Sequence, residues 1–187
     1  MSQDTRLLPG VSVVVPVYCS GGTLPALVSR VTSALGGTPH EVVLVDDGSD
    51  DGTWQVVREL SARPGVVGLR LSRNAGQHNA TLAGVRRARH STVVTIDDDL
   101  QHPPEQIQVL LARLGRGDVD VVNGIPIRAA HGLWRRVSGR IARGVLAGAM
   151  GRRGAAGITS FRAFRTALRD GFDVEVGPAV SIEALLS

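Results

Sequence analysis

Val93–Glu105 reads VVTIDDDLQHPPE. A run of β-branched residues, the composition of a buried strand, stops at three consecutive aspartates. Two prolines then open a segment with apolar residues at helical spacing. The pattern is a strand, an acidic turn and a helix. Three like charges at a strand end repel one another, more strongly as water is excluded. A solvated turn carries such charges cheaply; a bound divalent cation also resolves them, because hard cations take carboxylate oxygens.

The same unit repeats on either side. Val11–Pro16 (VSVVVP), Glu41–Val45 (EVVLV), Val66–Leu71, Thr92–Ile96 and Val119–Val122 are predicted strands. Between them, Thr23–Leu35, Gly52–Ala62, Gly76–Arg89 and Pro103–Leu114 are predicted helices. Leu24, Leu27, Val28, Val31 and Leu35 form one apolar stripe, and Ile107, Leu110, Leu111 and Leu114 another. Arg86, Arg87 and Arg89 close the third helix, where cations suit the helix dipole. Alternating β and α segments, with strands apolar on both faces, predict an α/β fold with a parallel sheet flanked by helices.

The 187 residues are 43% hydrophobic and 20% charged, enough for one domain spanning 1–187 and unlike a disordered chain. All 21 basic residues are arginine, and against 17 acids they leave a net charge of only +4. Aromatics make up 3%, so few side chains could stack on bases and no nucleic-acid partner is expected. Cys19 is the one cysteine, which excludes an internal disulfide and suits a reducing compartment. The start, MSQDTRLLPG, lacks the apolar core of a signal peptide, and no run reaches the roughly 18 apolar residues of a membrane helix. A cytoplasmic location is therefore expected. GxxxxGK[ST], GxGxxG, CxxC, HExxH and GxSxG are all missing, so phosphate-loop, dinucleotide, zinc and serine-hydrolase readings lack support.

In parallel α/β sheets, ligands bind beyond the carboxyl ends of the strands. The polar clusters fall there: Pro16-Val17-Tyr18 after the first strand, DDGSDDGT (46–53) after the second, SRNAGQ (72–77) after the third and DDDLQ (97–101) after the fourth. Together they offer carboxylates for a base and ribose, an arginine for phosphate, and acids for a metal bridging a diphosphate. DDGSDDGT also reads as a turn and helix cap, Arg73 as a surface cation and Asn74 as a left-handed turn residue. Strand alternation carried through the aspartates sets Asp97 and Asp99 on one face and Asp98 on the other, a pairing suited to a cation.

VVVPVY, VDDGSDDGTW, LSRNAGQHNATLAG and IDDDLQHPPE, in this order and spacing, resemble the inverting family 2 glycosyltransferases with a GT-A fold. The resemblance is nearest to their polyprenyl-phosphate branch, which includes dolichyl-phosphate mannose synthases and bacterial undecaprenyl-phosphate sugar transferases. It covers nearly the whole chain from Val11 onward. It implies a Rossmann-like, mostly parallel sheet and metal-dependent transfer of a sugar, with inversion, from a UDP- or GDP-sugar to a polyprenyl phosphate. Pro16, Tyr18, Asp46 and Asp47 would line the nucleoside pocket, and Arg73, Asn74, Gly76 and Asp98 would lie near the nucleotide. Asp97 and Asp99 form the DxD pair, contacting a divalent cation (Mg2+ or Mn2+) together with Gln101. Arg128 and Arg162 would join that pair at the catalytic centre and hold the acceptor phosphate.

A phosphate acceptor suits these residues. A hydroxyl needs a general base, whereas a phosphate monoester is already an anion. The sequence offers arginines and no obviously placed base; Glu175 and Glu183 are the candidates for a hydroxyl acceptor. His131–Met150 has Leu133, Trp134, Val137, Ile141 and Val145 at helical spacing, with Arg135, Arg136, Arg140 and Arg143 between them. Such a helix either packs on the domain or lies on a membrane surface, and the resemblance favours a peripheral position at the inner face of the cell membrane. Cys19-Ser20-Gly21-Gly22 stands where the family has Asn-Glu-Glu, and Asp98 where a small residue is usual. The chain is also C-terminally short for the family. The alternatives are a partner protein completing the acceptor side, a soluble transferase acting on a hydroxyl, and a non-catalytic nucleotide-sugar binder.

Overall fold

The computed structural model describes residues 7–124 and 160–172; Arg128, the segment 131–150, Glu175 and Glu183 lie outside the described residues. The elements are β1 (Leu8–Val17), α1 (Leu24–Leu35), β2 (His40–Asp46), α2 (Thr53–Leu60), β3 (Val66–Arg70), α3 (Gln77–Arg87), β4 (His90–Thr95), α4 (Ile107–Leu114), β5 (Val121–Asn123) and β6 (Arg162–Arg165). They form one six-stranded sheet in the order β3-β2-β1-β4-β6-β5. β1 pairs in parallel with β2 and β4, and β2 with β3. β6 runs antiparallel to both β4 and β5. The sheet is mostly parallel, as the alternation predicts. The antiparallel β6 has no counterpart in the expected strands: its four residues, RAFR, begin and end in arginine and show no apolar run.

Valines of β1 explain the layering. Val11, Val13, Val15 and Val17 face one core together with α1, α2 and α4, while Val14 joins the second core with Val43, Val45 and α3. Every residue of β1 from Val11 to Val17 is buried, so the strand has no face for a solvated charge. The one acid in the middle of this region, Glu41, sits at the opposite end from the polar clusters. Its Oε1 accepts the Ser12 hydroxyl at 2.7 Å and the Arg89 N–H at 2.8 Å. That second bond draws Arg89 out of the helix, so α3 ends at Arg87 instead of running to Arg89.

Two other boundaries have local causes. Pro103 is extended (φ −63°, ψ 121°) because the ring of Pro104 disfavours helical geometry at the preceding residue. A 3₁₀ turn over Pro104–Gln106 then leads into α4. Gly76, with φ +90°, is not helical and precedes α3.

α3 lies close on the sheet because Gly84 has no side chain. A Cβ there would stand 2.4 Å from Cγ1 of Val14 and 3.0 Å from Cγ2 of Val45. Gly84→Val is expected to lose about 1–3 kcal/mol through overpacking, more than the few tenths of a kcal/mol regained in helix propensity. Urea unfolding measures this; an unchanged midpoint would contradict the close packing.

Candidate active site

The carboxyl ends of β1, β2, β3 and β4 open on one cleft of about 350 Å³, lined by Pro16, Val17, Tyr18, Asp47, Asn74, Gly76, Gln77, Asp97, Asp98 and Asp99. Of the residues proposed for a nucleotide, the structure brings together Pro16, Tyr18, Asp47, Asn74, Gly76 and Asp98. The Tyr18 side of the cleft is open, with that residue 51% exposed.

The loop after β2 is a hydrogen-bonded scaffold. Asp47 is buried, and its two oxygens accept the N–H groups of Ala75 at 2.7 Å and Gly76 at 2.8 Å. Bonds to a charged acceptor are strong, so one side chain fixes the next loop of the cleft. Gly48 (φ +72°) makes the approach sterically feasible: a Cβ there would lie 2.6 Å from the carbonyl carbon of Arg73 and 2.7 Å from the Asn74 nitrogen. The loop after β1 is tied in as well, the Cys19 N–H donating to Ser49 Oγ and the Gly21 N–H to Thr53 Oγ1, each at 3.0 Å.

Asp46 does not line the cleft. It is fully buried, accepts the Ser49 N–H at 3.2 Å and pairs with Arg70, whose Nε lies 3.2 Å from Oδ2. That oxygen receives no well-aligned hydrogen bond, so the pairing is ionic. Arg70 also donates to the Ser49 carbonyl at 3.0 Å and stands over the Trp54 ring at 5.7 Å. The cause is register: Asp46 is the last residue of β2 and opposes Arg70 across the β2–β3 ladder. Asp46 therefore shapes the loop. Arg73 is exposed and also outside the cleft lining.

The three aspartates correct the alternation argument. β4 ends at Thr95; Asp97 follows outside regular structure, and Asp98 and Asp99 form a turn closed by Leu100 at φ +60°. Strand geometry no longer separates Asp98 from its neighbours, and all three line one cleft. Asp97 accepts the Gln77 amide at 2.6 Å on one oxygen and the Ser160 hydroxyl on the other. Asp98 accepts the Ser20 hydroxyl. Asp99 is exposed and accepts the Gln101 N–H at 3.0 Å. Gln101 itself is exposed and lies outside the cleft lining. Arg162 is buried, opposite Thr95 on β4, and likewise outside the lining.

Burial lifts both Asp97 and Asp98 above the ordinary carboxylate value of 3.8. Asp99 raises both further, and Asp97 raises Asp98. Against this, Ser160, His102 and Gln77 favour the Asp97 anion, and Ser20 and Tyr18 the Asp98 anion. Among the described residues no three His, Cys, Asp or Glu side chains converge into a ready-made cation cage. The donors do fit a hard cation that brings other ligands, because magnesium-like ions commonly take one or two carboxylates plus substrate phosphates.

Gln77, Ser20 and Ser160 escaped the sequence reading. Gln77 closes the SRNAGQ cluster and could have been found there. Ser160 is 63 residues from Asp97 and carries no local signal.

The glycosyl transferase family 2 model matches residues 12–173. The chain belongs to that family. It is 42% identical, over 135 residues, to the undecaprenyl-phosphate 4-deoxy-4-formamido-L-arabinose transferase of Aeromonas hydrophila subsp. hydrophila, a match covering 70% of this chain and 41% of that protein. The chain thus spans about two-fifths of the length of this curated relative. Two solved structures share the fold. S. aureus TarS 1-349 in complex with UDP aligns with a TM-score of 0.64 at 20% identity, covering 95% of this chain and 53% of that one. The mannosyltransferase PcManGT from Pyrobaculum calidifontis, in complex with GDP-Man and Mn2+, aligns with a TM-score of 0.64 at 18% identity, covering 96% and 50%. The fold of this family 2 chain is GT-A, as its motifs imply. No helix of the described residues is long and apolar enough to cross a membrane.

The raised carboxyls set a pH dependence. A group that holds its proton more tightly folded than unfolded costs stability as pH rises through its folded value. Asp98→Asn keeps an acceptor for Ser20 and removes one charge. In the cation-free protein it is expected to raise the unfolding temperature at pH 7, an advantage that shrinks as the pH is lowered toward 4 and the wild-type carboxyl takes up its proton. Thermal unfolding at both pH values tests this; a lower unfolding temperature at pH 7 would contradict it.

Proposed function

We propose that this chain is the catalytic part of an inverting, metal-dependent glycosyltransferase that moves a sugar from a nucleotide-diphosphate sugar to a polyprenyl phosphate. The observation that carries the reading is the convergence of Asp97, Asp98 and Asp99 with Tyr18 and Asp47 in one cleft of a family 2 chain. The acceptor class is supported by the 42% identity to a relative named for undecaprenyl phosphate. The donor class is supported by neighbours of the same fold in complex with UDP and with GDP-Man.

Tyr18 offers a half-exposed ring at the cleft edge for the nucleoside. Asp47 keeps lone pairs beyond its two backbone bonds and can accept from the nucleoside while it holds the loop of Asn74 and Gly76. Asp97 and Asp99, with the Gln101 side chain, would hold a divalent cation that supplies charge neutralisation for the leaving diphosphate. Arg128, outside the described residues, would hold the acceptor phosphate. In the transfer, a phosphate oxygen forms its bond to the anomeric carbon as the bond to the diphosphate breaks on the opposite face. The acceptor is already an anion, so no proton has to be removed, and the task of these residues is to place charge. We place the protein at the inner membrane face, with segment 131–150 against the lipid and room for a partner on the acceptor side.

Calorimetric titration with UDP and with GDP, each with and without manganese, is the direct test. One of the two is expected to bind, more tightly with the metal. Asp99→Ala is expected to lose about a hundredfold or more in transfer to a polyprenyl phosphate, on the scale of other deleted charge-stabilising groups, while remaining folded. Full transfer by that variant rejects the metal role; no nucleotide binding by a folded chain rejects the site.

A further inference from the structure

We propose that Gln77 and Ser160 are positioning residues that fix the Asp97 carboxylate for cation binding; the inference rests on the metal-dependent reading of the cleft.

Asp97 lies beyond the end of β4 and outside regular structure, so strand geometry does not define where its carboxylate points. The direction is set from outside. Gln77, the first residue of α3, donates its side-chain N–H to Oδ1 at 2.6 Å. Ser160, two residues before the start of β6, donates its hydroxyl to Oδ2. Each donor is itself held. Gln77 follows Gly76, whose N–H is bound by Asp47 at 2.8 Å. The Ser160 carbonyl accepts the Thr95 hydroxyl. A continuous chain of contacts thus runs from Asp47 through Gly76 and Gln77 to Asp97, and on through Ser160 to β4. Among the described residues, Asp99 accepts only the N–H of its own turn, from Gln101.

A carboxylate gripped on both oxygens has little rotational freedom. Its remaining lone pairs keep one direction, and ordering entropy is not lost again when a cation arrives. Gln77 lines the cleft and is exposed, so its amide holds the carboxylate from the ligand side without supporting the core. Ser160 grips it from the segment that leads into β6, the strand that separates β4 from β5.

The test is manganese(II) binding to the purified chain, read by electron paramagnetic resonance with UDP and with GDP present in turn. Gln77→Ala and Ser160→Ala are each expected to weaken manganese binding about ten- to a hundredfold, the usual cost of losing a partner that orients a ligand. The thermal unfolding midpoint should stay near that of the wild type, and Ser160→Thr, which keeps the hydroxyl, should restore affinity. If both alanine variants bind manganese like the wild type while Asp97→Ala does not, the positioning role is overturned and the metal site stands. If the wild type binds no manganese with either nucleotide, the inference falls together with the reading it rests on.

Discussion

β1 lies between two parallel partners, and the rest of the molecule depends on that pairing. Its register sets Val17 beside Asp46 on β2 and Val14 beside Thr95 on β4. Parallel neighbours must end on the same side, so the loops after all three strands meet at one edge. Each return to the start of the next parallel strand needs a crossover, and the helices that make it cover both faces. A strand covered on both faces has no cheap place for charge, since an unpaired buried ion costs several kcal/mol. Charge accumulates at the strand ends because it is excluded from the strand bodies. The acidic edge and the valine-rich centre are therefore one constraint seen from two places.

That edge carries its own cost. Two carboxylates roughly 5 Å apart repel by about 3 kcal/mol at an effective dielectric near 20. Among the described residues, Asp47, Asp97 and Asp98 each meet hydrogen-bond donors that offset part of the cost. Asp47 has two backbone N–H bonds, Asp97 two side-chain donors, and Asp98 the Ser20 hydroxyl. A hydrogen bond to a charged group contributes about 1.5–3 kcal/mol, the same order as that repulsion. They do not cancel the cost of burial and of the repulsion added to it, because Asp97 and Asp98 remain harder to ionise than an ordinary aspartate. The residual strain in charge is what a cation or a substrate dipole can relieve.

Much of this was legible in the chain before any coordinates. Apolar runs of β-branched residues marked five strands, and helical spacing marked four helices, because both patterns are local and repeated. The convergence of four polar clusters followed from topology alone. Contacts between distant segments left no such trace. Ser160 meets Asp97 only because β6 inserts next to β4, and a four-residue strand flanked by arginines has no periodicity to read. Asp46 looked like a ligand-facing acid, yet its partner Arg70 sits on the adjacent strand at a register that sequence does not display. Alternation failed for Asp98 because it presumes a strand, and β4 had already ended.

The two departures from the family pattern meet in space. The Asn-Glu-Glu pattern puts a glutamate where this chain has Ser20, and a small residue where it has Asp98. Here the Ser20 hydroxyl donates to the Asp98 carboxylate. A glutamate at position 20 could make no such bond while ionised, and beside Asp98 it would add a further repulsion or force one acid to stay protonated. A small residue at position 98 would leave the serine with no carboxylate to hold. Ser20 and Asp98 satisfy one another, and Asp98 brings an acid to the cleft that Tyr18 also lines, from the turn after β4.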